Sequence, residues 1–326
     1  MIGGDRLAAA MLLRSASRSL KTKDVKALFR ALDRLPDAAD RRRFLEGLWP
    51  SVPSAGEPRH HGLPGRLVVS LTSYPGRYST LHYTLGCLLG QSVRADRIIL
   101  WIAHQDRASL PPSVLALERQ GLDIRFCDDW RSYKKILPTL VDESDAFIVT
   151  ADDDTWYPPG WLAQILTHSR RHPEQIVAQR ARAIKTDEAG LPRPYQCWGL
   201  ISGANTPARG IASERILPNG VGGVLYPPGA LQSKAGVLQK ILQLAPHADD
   251  LGLYWLWRMN GRLASVVDGE KFDVANWPES QGWSLMKINV HGHGNDHQMQ
   301  ALVAHFGKAV LNPELSAVLA GRGHPI

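Results

Sequence analysis

Three consecutive carboxylates, Asp152, Asp153 and Asp154, close an apolar run of strand length, Ala146-Phe147-Ile148-Val149-Thr150-Ala151. A continuous apolar run suits a strand buried on both faces of a sheet. Unpaired charge is very costly inside a protein, so the carboxylates must stand where that strand leaves the sheet. In open α/β sheets, the carboxyl ends of the strands are where ligands bind. Alternation continued past the strand puts Asp152 and Asp154 on one side and Asp153 on the other. Two hard oxygen ligands so arranged suit Mg2+ or Mn2+. The plain alternative is a solvated acidic turn ahead of a helix that starts near Pro158 and Pro159.

Other reactive residues fall at comparable places. The turn Thr72-Ser73-Tyr74-Pro75-Gly76-Arg77 follows a second strand-like run, Leu67-Val68-Val69-Ser70-Leu71, and so belongs to the same sheet edge. Thr72, Tyr74 and Arg77 offer a hydroxyl, an aromatic face and a guanidinium, a kit for a nucleobase and a diphosphate. Neither a Walker loop nor G-x-G-x-x-G is present, so glycine backbone is not the phosphate cradle. Arg131, Lys134 and Lys135 add cations ahead of the triplet; Lys135 reads as helix-surface charge, Lys134 less readily. Asp249 and Asp250 precede an apolar helical stretch over residues 251–259, where either carboxylate could cap the helix. The segment from Asn289 to His297 holds the densest histidine cluster, His291, His293 and His297. Such a loop can simply hydrogen-bond, and no cysteine shares its spacing to favour zinc. Gly220, Gly222 and Gly223 read as a strand-and-turn segment that either admits a sugar or packs tightly. Trp255, Trp257, Trp277 and Trp283 read as core first, with Trp277 and Trp283 as platforms for an acceptor sugar.

Strand and helix patterns alternate from Arg66 onward. Strands are expected over residues 67–71, 97–102, 123–126, 146–151 and 176–179, and helices over 80–90, 134–141 and 161–171. That alternation predicts a parallel sheet with helices on both faces. Ahead of it, Val25, Leu28, Phe29, Leu32 and Leu35 recur at helical spacing, with Asp24 as N-cap. Pro36 stops this helix and Asp37 can start another. The expected organisation is a helical extension over residues 1–50, a Pro/Gly/Ser-rich linker over 51–65, the main domain over 66–307 and a tail over 308–326.

Charge and cysteine use narrow the function classes. Residues 1–60 carry 12 Lys and Arg against 7 Asp and Glu, so +5 of the net +7 lies there. The favoured reading of this basic arm is an appendage packed on the body, with peripheral contact to an anionic membrane as the rival. No basic run is interleaved with stacking aromatics, so nucleic acid is not an expected partner. No apolar run approaches the roughly 20 residues that span a bilayer. The run at residues 7–13 is short and is cut by Arg14, so no secretory signal is expected. Cys87, Cys127 and Cys197 are odd in number and lack CxxC spacing, which points to free thiols and a cytoplasmic protein.

Taken in order, the strand and turn over residues 67–77, Arg131-Ser132-Tyr133-Lys134-Lys135, and Thr150-Ala151-Asp152-Asp153-Asp154 resemble bacterial glycosyltransferases of the GT-A fold. The similarity is closest to family-2-like enzymes of surface-polysaccharide assembly and more distant to exostosin-type transferases. It spans about residues 66–307. It implies a Rossmann-like nucleotide-sugar-binding sheet, a UDP-sugar by default, Mn2+ or Mg2+, and a carbohydrate acceptor, at the inner face of the membrane if the basic arm touches it. It also implies roles: Asp152 at the donor ribose or metal, Asp153 near the donor sugar, Asp154 on the metal, and His291 or His293 completing the metal shell. Arg77, Arg131 and Lys134, with Thr72 and Tyr74, would hold the nucleotide. Asp250, second member of an acidic pair with Asp249, would act as general base. The rivals are a metal-dependent nucleotidyltransferase or phosphohydrolase, and a non-catalytic carbohydrate-binding protein on the same fold.

Overall fold

The computed structural model describes residues 22–35, 37–48, 58–202, 210–268, 273–280, 289–290 and 292–311. The linker residues 51–57, His291, Trp283 and the chain beyond residue 311 lie outside the described residues.

Seven strands form the central sheet: β1 (Leu67–Thr72), β2 (Arg97–Ala103), β3 (Leu122–Cys127), β4 (Phe147–Thr150), β5 (Ile176–Ala178), β9 (Val224–Tyr226) and β10 (Ala264–Val266). Between β5 and β9 the chain makes a small antiparallel sheet of β6 (Ala181–Ala183), β7 (Gly199–Ile201) and β8 (Ile216–Pro218). The spatial order of the large sheet is β10-β5-β9-β4-β1-β2-β3. All neighbours are parallel except β9, which runs antiparallel to both β4 and β5. The sheet is therefore mixed, not parallel throughout as the alternation predicts. A parallel neighbour needs a crossover of a dozen or more residues, usually helical. The chain instead spends residues 181–218 on the small sheet and turns back through Gly222 and Gly223, both at positive φ, into β9.

Helices cover both faces. Along β1, Leu67, Val69 and Leu71 join one core with α3 (Tyr78–Leu89) and α5 (Trp161–Arg171), while Val68 joins the other. That second core takes Ile136 and Leu137 beside α4 (Leu137–Asp142), and the apolar sides of α6 (Ala235–Leu244), α7 (Asp249–Met259) and α8 (Gly294–Phe306). The alternation of β1 side chains between two cores follows directly from the two-residue strand period. Trp255 and Trp257 are fully buried, as their core reading expects. Val310 and Leu311, expected in the tail, are also buried, and Val310 O accepts from Nε of the buried Arg258 at 2.9 Å.

The N-terminal helices pack on this body. In α1 (Thr22–Asp33) the stripe Val25, Leu28, Phe29 and Leu32 is buried, and Phe29 lies 4.8 Å from Trp277, ring centre to ring centre. Asp24 lies in the first turn instead of capping it. Asp37 does cap α2 (Ala38–Leu48), its carboxylate accepting from Ala39 N at 2.8 Å. Arg41 pairs with Glu279 at 2.6 Å and Lys26 with Asp273 at 3.9 Å. The apolar stripe of α1 is thus spent on the body. Among the described residues no helix is long and apolar enough to cross a membrane.

Candidate functional site

β1 connects outward to β2 on one side, while its other neighbour is β4. The loops leaving β1 and β4 therefore diverge, and the crevice between them is where a doubly wound sheet binds ligands. Both predicted loops line it. Ser73 Oγ donates to Asp153 at 2.6 Å, and the buried guanidinium of Arg77 pairs with Asp154 and lies 3.9 Å from Asp153. Asn276 donates to Asp154 Oδ2 at 3.0 Å, and Thr155 to its Oδ1 at 3.3 Å. Thr84 Oγ1 donates to Asp153 O at 2.9 Å and accepts from Trp277 Nε1 at 2.8 Å. Trp277 is consequently a buried brace behind the triplet, not an acceptor platform.

The triplet does not alternate as a strand. β4 ends at Thr150 and the chain turns at Asp153, so the period-two rule stops before the carboxylates. Asp153 and Asp154 share the Arg77 side. Asp152 faces the other way, with its backbone near the Tyr157 hydroxyl at 2.8 Å and its carboxylate 3.5 Å from Lys135 Nζ. The pair expected to share a metal is divided between two cations.

Lys135 is the residue whose importance sequence reasoning underrated. Residues 131–135 form a tight 3-10 turn before α4, not the helix expected over 134–141, and this turn carries Lys135 inward. Its ammonium lies 2.9 Å from Asp249 and 3.5 Å from Asp152, which hold its pKa well above the ordinary lysine value against the cost of burial. Lys134, favoured from sequence, pairs with Asp129 at 2.5 Å. Arg131, at φ 53°, reaches Pro246 O at 3.5 Å and His247 at 3.3 Å. Tyr133 donates to Ala245 O at 2.8 Å and fills the space a Cβ on Gly252 would need. The whole turn thus clasps the corner between α6 and α7.

Asp249 and Asp250 occupy the first turn of α7, whose N-cap is Ala248. Neither acts as the cap. Asp249 turns to Lys135, and Asp250 accepts from Gly220 N at 3.0 Å. Burial, then Asp249, push Asp250 up to about 7, with Lys135 opposing. Burial, then Asp154, push Asp153 to about 7, with Arg77 opposing. A Cβ on Gly220 would stand 2.8 Å from Lys135 Nζ and 3.1 Å from Asp250 Oδ1. At Gly223 it would stand 2.5 Å from the Trp161 ring. The glycine segment therefore serves both readings, the site at Gly220 and packing at Gly223.

The remaining expected residues are peripheral. Thr72 Oγ1 donates to Trp101 O at 2.8 Å, and Tyr74 lies beside Arg77, hydroxyl to Nε 3.4 Å. His293 is exposed at the N-terminus of α8 and meets Asp296 at 3.4 Å; no contact among the described residues joins it to the triplet.

The metal that the resemblance implies can be weighed on this geometry. Among the described residues no three His, Cys, Asp or Glu side chains stand as a ligand shell. The donor chemistry nevertheless fits a hard cation. Asp152, Asp153, Asp154, Asp249 and Asp250 crowd around Lys135 and Arg77. Like charges so crowded favour either protons or a further cation. Asp154 is closed by Arg77 and Asn276, which leaves Asp152 as the better-placed ligand.

A second constellation has the makings of a nucleophile but not the access. His168 bridges Asp268 at 3.0 Å and Ser265 Oγ at 2.9 Å. Ser265 has no exposed surface, so this is an internal tie between α5 and β10. No family model matches the chain, and no curated protein matches it either.

Proposed function

We propose that this protein is a GT-A-like glycosyltransferase that moves a sugar from a nucleoside-diphosphate donor to a carbohydrate hydroxyl. The observation that carries the reading is Lys135, whose ammonium joins Asp152 at the end of β4 to Asp249 at the start of α7. It brings the donor-side carboxylates within one group's breadth of Asp250. Transfer requires both at one place, since the acceptor hydroxyl loses its proton as it attacks the anomeric carbon. Asp250 is suited to that step: a carboxylate raised to about 7 is a competent base near neutral pH. Arg77 supports the diphosphate side, and Ser73 and Arg77 hold the loop after β1 against the triplet. A divalent cation, Mn2+ or Mg2+, held by Asp152, would neutralise charge on the departing diphosphate. Cys87, Cys127 and Cys197 are unbonded, which supports a reducing, cytoplasmic location.

The test is calorimetric binding of UDP and GDP, each with and without Mn2+, followed by analysis of products from the corresponding nucleotide sugars. Release of intact nucleoside diphosphate supports transfer. Release of pyrophosphate or phosphate would move the assignment to a nucleotidyltransferase or phosphohydrolase. A folded protein that binds neither nucleotide would leave the carbohydrate-binding reading.

A further inference from the structure

Arg180 and Arg182 are cations that the donor side does not use. β5 and β4 are both antiparallel to β9, so residues 179–182 leave the sheet at the triplet's edge. The register sharpens this. Thr150, Val224 and Ala178 lie side by side, and Asp152 and Arg180 each come two residues later. Two strand spacings, about 10 Å, separate Thr150 from Ala178 at the strand ends, the breadth of one or two sugar rings. Asn219 N donates to Arg180 O at 2.9 Å, and the next residue, Gly220, donates to Asp250. Arg180 therefore adjoins the loop that holds the candidate base, on the side away from Arg77.

Neither guanidinium meets a carboxylate among the described residues at ion-pair distance. Arg180 is half-buried beside Arg182, and burial together with that like charge lowers its pKa, with Asp273 and Tyr195 opposing. Arg182 lies over the Tyr195 ring at 4.6 Å and donates Nη1 to Trp198 O at 3.0 Å, and the Tyr195 side chain hydrogen-bonds both Arg182 and Asn219. Two adjacent guanidiniums without an ion-paired carboxylate call for an oxyanion, and a sugar bearing an acidic group offers one.

We propose that Arg180 and Arg182 form an anion subsite for the acceptor, which makes that acceptor a sugar carrying a carboxylate or a phosphate. The identification of this ligand as the acceptor rests on the glycosyl-transfer reading; the anion subsite itself does not. Glucuronate, glucose 6-phosphate and glucose are titrated into the protein by NMR, with and without UDP. The acidic sugars bind about tenfold or more tightly than glucose, as charge-assisted hydrogen bonds require. Arg180→Gln removes the difference, Arg180→Lys retains part of it, and UDP affinity stays within about twofold in both. The tighter of the two acids identifies the acidic group. Equal binding of glucose and both acids overturns the proposal. So does an Arg180→Gln variant that loses UDP as strongly as the acids, since Arg180 would then be a donor-phosphate ligand. A wild-type protein that prefers acidic sugars but binds no nucleotide would keep the subsite and refute transfer.

Discussion

Replacing Lys135 by Met tests the centre of the site. The substitution keeps most of the side-chain volume and removes the charge, leaving Asp152 and Asp249 facing each other without their shared cation. At an effective dielectric of about 20, contacts of 2.9 and 3.5 Å correspond to roughly 6 and 5 kcal/mol of gross attraction. Lysine desolvation offsets much of this, and breaking a buried ion pair typically costs about 3–5 kcal/mol. The loss has a ceiling, because the variant can protonate a carboxylate instead of keeping it charged. With an ordinary carboxylate pKa near 4, one such protonation costs about 1.4 kcal/mol at pH 5 and about 5 at pH 8. Asp152 is raised by burial against the opposing Lys135, so in the variant it rises further, and its contribution is intact at low pH and is lost as pH rises through the folded pKa. Urea denaturation at pH 5, 6, 7 and 8 should therefore show Lys135→Met about 3–5 kcal/mol less stable than wild type at pH 8 and about 1–3 at pH 5. Lys134→Met, which removes a pair whose Asp129 is largely exposed, should cost under about 1 kcal/mol at every pH. A Lys135→Met variant within 1 kcal/mol of wild type at pH 8, or a deficit that does not depend on pH, would refute the buried clasp.

Four further outcomes follow from the same geometry. Asp154→Ala removes the nearest carboxylate from the buried Arg77 guanidinium and should lower stability by about 3–5 kcal/mol, so Asp154→Asn, which keeps one acceptor oxygen for Arg77 and Asn276, is the cleaner activity test; denaturation curves of both variants decide this. Transfer should rise between pH 6 and 8 with an apparent pKa near 7, because Asp250 must lose its proton to act, and Asp250→Asn should flatten that rise in kcat/KM. Asp153 and Asp250 are both raised, so the stability they contribute is full below about pH 4, falls by about 1.4 kcal/mol per pH unit per titrating group between about pH 4 and 7, and levels off above 7, readable by denaturation across that range. Gly220→Ala should reduce transfer far more than stability, because the flexible Lys135 end can yield, whereas Gly223→Ala, at φ 98° against Trp161, should cost at least about 2 kcal/mol of folding; paired melting and activity measurements separate the two.

Much of this molecule is local in origin and so was legible from the chain alone. Apolar runs and helical periodicity located β1 to β5, α3 and α5, because burial on one or two faces imposes a period on nearby residues. The same logic placed the triplet at a strand end, since three carboxylates cannot stay in the sheet. Asp249 and Asp250 were found as a pair at a helix start for a similar reason. What the chain does not encode locally is partner choice. Lys134 and Lys135 are identical in type and adjacent in sequence, yet a 3-10 turn sends one to Asp129 and the other between Asp152 and Asp249. The split of Asp152 from Asp154 depends on Arg77 and Asn276, which reach the triplet from 77 and 122 residues away. Trp277 became a brace because Phe29, Tyr83 and Thr84 enclose it. Arg180 gained its place only when β9 inserted antiparallel between β4 and β5, a choice made by long-range strand pairing. Periodicity reports which side of an element is apolar; which charge meets which is decided by tertiary distance, where a few ångströms separate an ion pair from a solvated side chain.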